Sequence, residues 1–311
     1  MIKRRHFLHG LGAGAALPRP ASAQTLQSPY PELILATAET SGSVMEATDR
    51  FAPFAAYLGK QLGRQVTLRI FDDYNAIIEG QRAGKIHIGH YGPASFARAL
   101  IGGIKTTAFI IDVDGNGNRG YYSVLYVRHD SPYQHIEDLT GKTLGLIKPS
   151  SASGYIIPLY NLHKLGIDAE RFFSKIREVG NHENAILSLL HNTVDTCANW
   201  WNAPGDSNLS RMVAKGLAKS ADGKPATEQD FRIILKSDLI MNSPIAYLDS
   251  LPPDLKSDIK FAYLSVATKE KAMFARLVNG TKTTWALTDN AAYDDTLDLI
   301  RFIDQSPKLS R

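Results

Sequence analysis

The chain is poor in the features that would settle its class at once. Cys197 is its one cysteine in 311 residues, so no intramolecular disulfide can form and stability must come from a buried core. Beyond the first 23 positions there is no run of about 18 uninterrupted apolar residues, the length a membrane-crossing helix needs. There is no Gly-x-Ser-x-Gly elbow and no P-loop, no short repeat and no low-complexity tract. Acidic residues are missing from positions 1–23, which carry Lys3, Arg4, Arg5 and Arg19. The whole chain has 35 basic and 31 acidic side chains, so without those four the balance is 31 against 31. A nucleic-acid surface needs a concentrated basic face and is not supported.

What is present begins with an address. A charged start, a mildly apolar stretch over 7–17 and Ala21-Ser22-Ala23 have the layout of a signal peptide over residues 1–23. Arg4-Arg5 followed by Phe7-Leu8, with the apolar stretch diluted by Gly10, Gly12 and Gly14, fits twin-arginine export. The expected location is the periplasm, with the mature chain starting near Gln24.

With 44% hydrophobic residues, the chain can bury a substantial core. Apolar runs at 33–37, 66–71 and 86–91 read as strands, and stretches at 44–62 and 74–82 read as helices. Further strands are expected at 108–112, 123–127, 143–147, 176–179 and 195–198, with helices at 153–165 and 183–190. The last third supplies strands at 232–235 and 245–247, then helices at 253–266, 269–277 and 293–302. The alternation predicts an α/β fold with mostly parallel sheets, two α/β units being the simplest arrangement. Residues 114–120 are a turn-rich crossing, and 218–230 an exposed loop. The glycines Gly115-x-Gly117-x-x-Gly120 are followed by a strand pattern, so they read as a turn and not as a dinucleotide fingerprint.

The most informative segment is Lys148-Pro149-Ser150-Ser151-Ala152-Ser153-Gly154, between an apolar strand and an amphipathic helix. First-turn N–H groups have no intrahelical partner and the helix dipole adds positive potential, so an oxyanion can be held there. Ser151 and Ser153 would add hydroxyl donors and Ala152 a backbone donor; N-capping alone also accounts for serine at such a position. His182, in Gly180-Asn181-His182-Glu183, sits at another strand-to-helix junction, where strand ends of an open sheet converge on one crevice. Tyr74 and Tyr121 are further uncharged donors. Catalytic readings are thin: His87 and His90 are three apart in a strand pattern and point to opposite faces, a poor metal pair, and Cys197 reads as a buried, inert thiol. Binding fits better than catalysis, and no cofactor is implied.

Taken together, the segments resemble the periplasmic binding proteins of phosphonate, phosphite and phosphate ABC transporters, often called PhnD-like. The stretches that carry the resemblance are 73–80, Gly89-His90-Tyr91-Gly92-Pro93-Ala94-Ser95, 120–125, 149–154, 180–183 and Val194-Asp195. The resemblance implies a type II periplasmic-binding fold, two α/β lobes joined by two crossings near Gly120 and Ser243. Lobe 1 would comprise 24–120 plus 245–311, and lobe 2 would comprise 121–244. It implies Tyr74, Tyr121, Ser151, Ala152, Ser153 and His182 as the oxyanion site, with Ala152 standing where the family often has threonine. Tyr91, Asn202 and Ser243 would shape a pocket for the ligand's substituent, with Trp200 and Trp201 nearby. By the same resemblance, aminoalkylphosphonate binders place carboxylates at the positions of Asn202 and Ser243; neither is acidic here, so a ligand without an amine is expected. The implied partners are a small phosphorus oxyanion and an inner-membrane ABC permease, the protein acting as a monomer. The alternatives are an oxyanion receptor feeding a sensor kinase, for example for an arsenic oxyanion, and an enzyme on the same scaffold. In the first reading, aimed neutral dipoles and not a basic surface would recognise the anion.

Overall fold

A computed structural model describes residues 29–39, 43–114, 116–278 and 282–305; the expected leader at 1–23 lies outside the described residues. The strands run in chain order β1 (Glu32–Ala38), β2 (Gln65–Phe71), β3 (Ile88–His90), β4 (Thr106–Asp114), β5 (Gly120–Arg128), β6 (Thr143–Leu146), β7 (Lys175–Glu178), β8 (Thr196–Ala203), β9 (Asp206–Ser207), β10 (Phe231–Lys236), β11 (Ile240–Met241), β12 (Pro244–Leu248) and β13 (Lys282–Leu287). They form two sheets, ordered β13-β4-β12-β3-β1-β2 and β10-β5-β8-β6-β7, with β11 on β5 and β9 on β8. The chain therefore passes from the first sheet to the second after Asp114 and returns between Met241 and Pro244.

The expectation of mostly parallel sheets is corrected. β1 runs parallel to β2 and β3, and β6 to β7 and β8, where helical crossovers join the strands. The remaining strands, β4, β5 and β9 to β13, pair antiparallel. These belong to the crossings and the return leg of the chain. Hydrophobic periodicity carries no information about that direction. The two units are consequently interleaved, since the first sheet is completed by C-terminal strands.

The helices are α1 (Val44–Leu62), α2 (Asn75–Arg82), α3 (Pro93–Ile101), α4 (Ile157–Lys164), α5 (Ala169–Phe172), α6 (His182–Leu190), α7 (Asn208–Ala214), α8 (Pro253–Lys269), α9 (Lys271–Val278) and α10 (Asp294–Gln305). α1 shows why the pattern folds as it does. Ser43 Oγ accepts the Glu46 N–H at 3.2 Å while Glu46 accepts the Ser43 N–H, a capping box, and Phe51, Phe54 and Leu58 recur on the buried face. α10 reaches across the molecule: Ile300 and Ile303 are buried in the same cluster as Ala94 and Ala97 of α3 and Leu144 and Leu146 of β6.

The expected helix at 153–165 begins differently. A π turn over Ala152–Ile156 precedes α4, with the Ser151 carbonyl accepting the Ile156 N–H at 3.2 Å and the Ala152 carbonyl accepting from Ile157. Gly154 is required there, because a Cβ would stand 2.4 Å from Ile147 Cδ1. β3 is shorter than the strand expected at 86–91, and β8 runs on to Ala203, past the strand expected at 195–198. Among the described residues no helix is long and apolar enough to cross a membrane.

Candidate functional site

Two adjoining cavities lie between the sheets. One, called inner because it holds the serine segment, has a volume of about 200 Å³ and is lined by Tyr74, Tyr121, Ser151, Ala152, Ser153, His182, Asn202 and Ser243, together with Trp200, Arg211 and Asp112. The outer one, of about 260 Å³, shares Tyr74, Asp112, Arg211 and Ser243 with it and adds Glu39, Arg50, Glu183 and Lys215. The structure thus brings together all six residues expected at the oxyanion site. It does not bring Tyr91 with them: Tyr91 lines only the outer cavity, and its buried hydroxyl donates to Gln81 Oε1 at 2.8 Å.

The serine segment follows β6 and enters the π turn. Ser151 caps it, its Oγ accepting the Gly154 N–H at 3.2 Å, and the Ser153 carbonyl is fixed by the Ser123 hydroxyl at 2.7 Å. The N–H groups of Ala152 and Ser153 fall in the first turn, where no intrahelical carbonyl precedes them. Burial pushes the Tyr121 phenol up, the neighbouring Tyr74 adding to this and Ser153 hydrogen bonding opposing it, so Tyr121 stays a neutral donor. Tyr74 stands at the N-cap position of α2, opposite the serines.

His182 begins α6 behind the Asn181 cap, whose side chain accepts the Asn184 N–H at 2.7 Å. Its tautomer follows from its neighbours. Asn199 Nδ2 donates to the His182 carbonyl and Asn199 Oδ1 accepts the Trp200 N–H, both at 2.9 Å, which fixes the amide orientation. His182 Nδ1 lies 2.9 Å from that same Oδ1 and must therefore be the donor. Burial pulls the imidazole down to about 4, so at neutral pH the ring is uncharged and Nε2 carries a lone pair. The ring can accept a hydrogen bond from a protonated phosphoryl oxygen, or donate once it has taken up a proton itself.

β8 sorts its side chains by alternation. Trp200 and Asn202 line the inner cavity, whereas Cys197 and Trp201 fall in the apolar cluster on the other face, with α6 and α7. Cys197 is fully buried and its thiol is pushed up by burial, away from both cavities. His87 Nδ1 accepts the Ile34 N–H at 2.9 Å while His90 Nε2 pairs with the Tyr263 hydroxyl at 3.0 Å, so the two histidines serve separate structural bonds. Among the described residues no group of three or more His, Cys, Asp or Glu side chains is placed to hold a metal ion.

Sequence reasoning missed the charged residues of the cavity walls, two of which line both cavities. Arg211, on α7, lines both cavities, with its guanidinium 4.5 Å from the centre of the Trp200 ring. Asp112, on β4, lines both as well, and its Oδ1 accepts the Trp285 Nε1–H at 2.6 Å. The cavity wall is therefore not made of neutral dipoles alone: a guanidinium and a carboxylate share it. The only signal in the sequence was the Ser207-x-x-Ser210 cap that starts α7 and so places Arg211 one turn in.

The rim is bridged as well. Lys148 Nζ donates to the Asp72 carbonyl at 2.9 Å and to its carboxylate at 3.1 Å, holding that carboxyl below its ordinary value, and Ser150 Oγ donates to Asp73 Oδ2 at 2.9 Å. These bonds join the loop after β6 to the loop after β2.

The model of the family "ABC transporter, phosphonate, periplasmic substrate-binding protein" matches residues 37–293. The phosphonates-binding periplasmic protein of Escherichia coli is 29% identical over 235 residues, 73% of this chain and 65% of that protein, so the match spans less than two thirds of the relative. The phosphate-import protein PhnD of Mycolicibacterium smegmatis is 26% identical over 259 residues, 80% of this chain and 73% of its own. A binding-protein component of a phosphonate ABC transporter from Pseudomonas aeruginosa superposes with a TM-score of 0.73 at 23% identity, covering 88% of this chain and 86% of the other. That likeness is one of fold.

Proposed function

The chain belongs to the family of periplasmic substrate-binding proteins of phosphonate ABC transporters, and from that premise we propose that it captures a small phosphorus oxyanion between its two sheets and presents it to an inner-membrane permease. The observation that carries the reading is the convergence of Ser151, Ala152, Ser153, His182, Tyr74 and Tyr121 on one cavity drawn from both sheets. Residues 121–244 act as the gripping lobe. The first-turn N–H groups and the serine hydroxyls receive the phosphoryl oxygens, and His182 Nε2 takes the oxygen that bears a proton.

The remainder of the mature chain, with 24–120 and 245–311, is the closing lobe. Tyr74 completes the cage, and the Lys148–Asp72 and Ser150–Asp73 bonds at the rim form as the lobes meet. Ligand acts by stabilising this closed state, by as much as its affinity for closed exceeds that for open. Residues 1–23 direct export. The output is delivery of ligand and not turnover, a reading supported by the absence of Cys197 from the cavity walls.

The test is calorimetric titration of the purified protein, stripped of bound phosphate, with phosphite, phosphate, methylphosphonate and aminoethylphosphonate. Saturable heat is expected with at least one of the three that lack an amine. No heat with any of the four overturns the reading.

A further inference from the structure

We propose that the natural ligand carries a second oxyanionic group, a carboxylate or a second phosphoryl joined by a short chain to its phosphoryl head, and that Arg211 receives it. This rests on the reading that the serine segment and His182 hold the head.

Arg211 stands where the two cavities join, and its position is built. The Trp200 ring lies against the guanidinium at 4.5 Å, which holds the plane of the fork. Its Nε is buried and has no hydrogen-bond partner. The nearest carboxylate, Asp206, is 3.7 Å from Nη2, too far for a hydrogen bond, and is turned to Asn202 Nδ2 at 2.6 Å. Burial pulls the guanidinium below its ordinary value, Asp206 and Asp112 opposing this and the like charge of Arg50 adding to it. Asp206 thus balances the charge at ion-pair distance but leaves the buried Nε donor without a hydrogen bond, and a planar fork is the group that matches a carboxylate or phosphoryl edge.

The acids of the outer cavity do not answer this need. Glu39 holds Arg50 Nη2 at 2.6 Å, Glu46 is engaged by the Ser43 cap and by Lys215 at 3.5 Å, and Asp112 accepts from Trp285, while burial pushes the Glu183 carboxyl up from its ordinary value. Arg50 repeats the pattern of Arg211, its own Nε being buried without a partner on the wall of the outer cavity. The unanswered groups at the substituent end are therefore chiefly cationic donors, which favour an anion over an ammonium. Asn202 Oδ1, buried and without a partner as well, is the one unanswered acceptor there.

The experiment is calorimetric titration of the stripped protein with methylphosphonate, phosphonoacetate, methylenediphosphonate and aminoethylphosphonate, repeated on Arg211→Gln and Arg211→Lys. Phosphonoacetate or methylenediphosphonate is expected to bind at least about tenfold more tightly than methylphosphonate. The gap closes in Arg211→Gln and narrows in Arg211→Lys, which keeps the charge but loses the fork. Whichever of the two anions shows the gap identifies the second group. Equal affinity for methylphosphonate and both dianionic probes in the wild type overturns the proposal, as does preference for aminoethylphosphonate. Those outcomes leave the phosphoryl site standing, whereas no binding of any probe removes that site too.

Discussion

The two walls of the cleft are built on different principles. On the second sheet's side, the groups of the oxyanion site are positioned by hydrogen bonds: Ser151 by the Gly154 N–H, the Ser153 carbonyl by Ser123, His182 by Asn199. On the first sheet's side, the groups are held by aromatic packing. Phe54, Tyr263 and Trp285 pack with ring centres 4.9 to 5.4 Å apart, and Trp285 in turn orients Asp112. A wall of preset donors loses little freedom when an anion arrives, so it should carry most of the affinity. A rigid wall that presents Tyr74 to the cavity is suited to closing over a ligand already held. The difference between the walls is thus a division of labour, grip against closure.

The largest blow to this division should come from removing the grip. Replacing Ser151 and Ser153 together by alanine deletes two hydroxyl contacts to a charged group, each worth about 1.5 to 3 kcal/mol, and titration should show affinity lower by about a hundredfold or more. His182→Ala should cost about 1 to 3 kcal/mol of binding free energy. In the wild type, titrations in buffers of different ionisation enthalpy should reveal proton uptake whenever the free ligand is fully deprotonated, since His182 Nε2 and the ligand oxygen need one proton between them. Wild-type affinity in His182→Ala, or heats independent of buffer, would return His182 to a structural role.

The desolvated imidazoles of His182 and His90 make stability depend on pH. His182 is held down to about 4 and His90 to about 3 in the folded chain, against ordinary values near 6.5. The unfolded chain then binds more protons across that interval, so stability is full above about 6.5 and falls as the pH drops toward about 4. Urea unfolding of the stripped protein at steps between neutrality and pH 4 should show a loss of a few kcal/mol, and a flat profile would mean that neither ring is buried neutral. The smallest effect is expected at the rim. Lys148→Met removes an exposed ion pair and should weaken binding by less than about 1 kcal/mol, a larger loss placing Lys148 among the gripping residues.

Much of the second wall could be read in the sequence, and the first much less. Ser151, Ser153 and His182 announce themselves because a strand pattern gives way to a helix pattern beside them, and that junction has a chemical meaning independent of fold. Asp112 gives no such sign: it is one polar position near the end of a largely apolar strand, where an outward-facing residue looks the same. Arg211 was hidden in a short helix whose apolar periodicity is too brief to recognise. The π turn could not be foreseen, since i→i+5 and i→i+4 bonding leave the same pattern over five residues. The antiparallel return of β12 and β13 depends on contacts more than a hundred residues apart in sequence, which no local window contains.

The division between grip and closure is tested most directly by titrating methylphosphonate into wild type, Ser151→Ala/Ser153→Ala and Tyr74→Phe, all stripped of phosphate. The account predicts a loss of about a hundredfold or more for the serine pair and of about tenfold or less for Tyr74→Phe. Equal losses, or a greater loss at Tyr74, would contradict it.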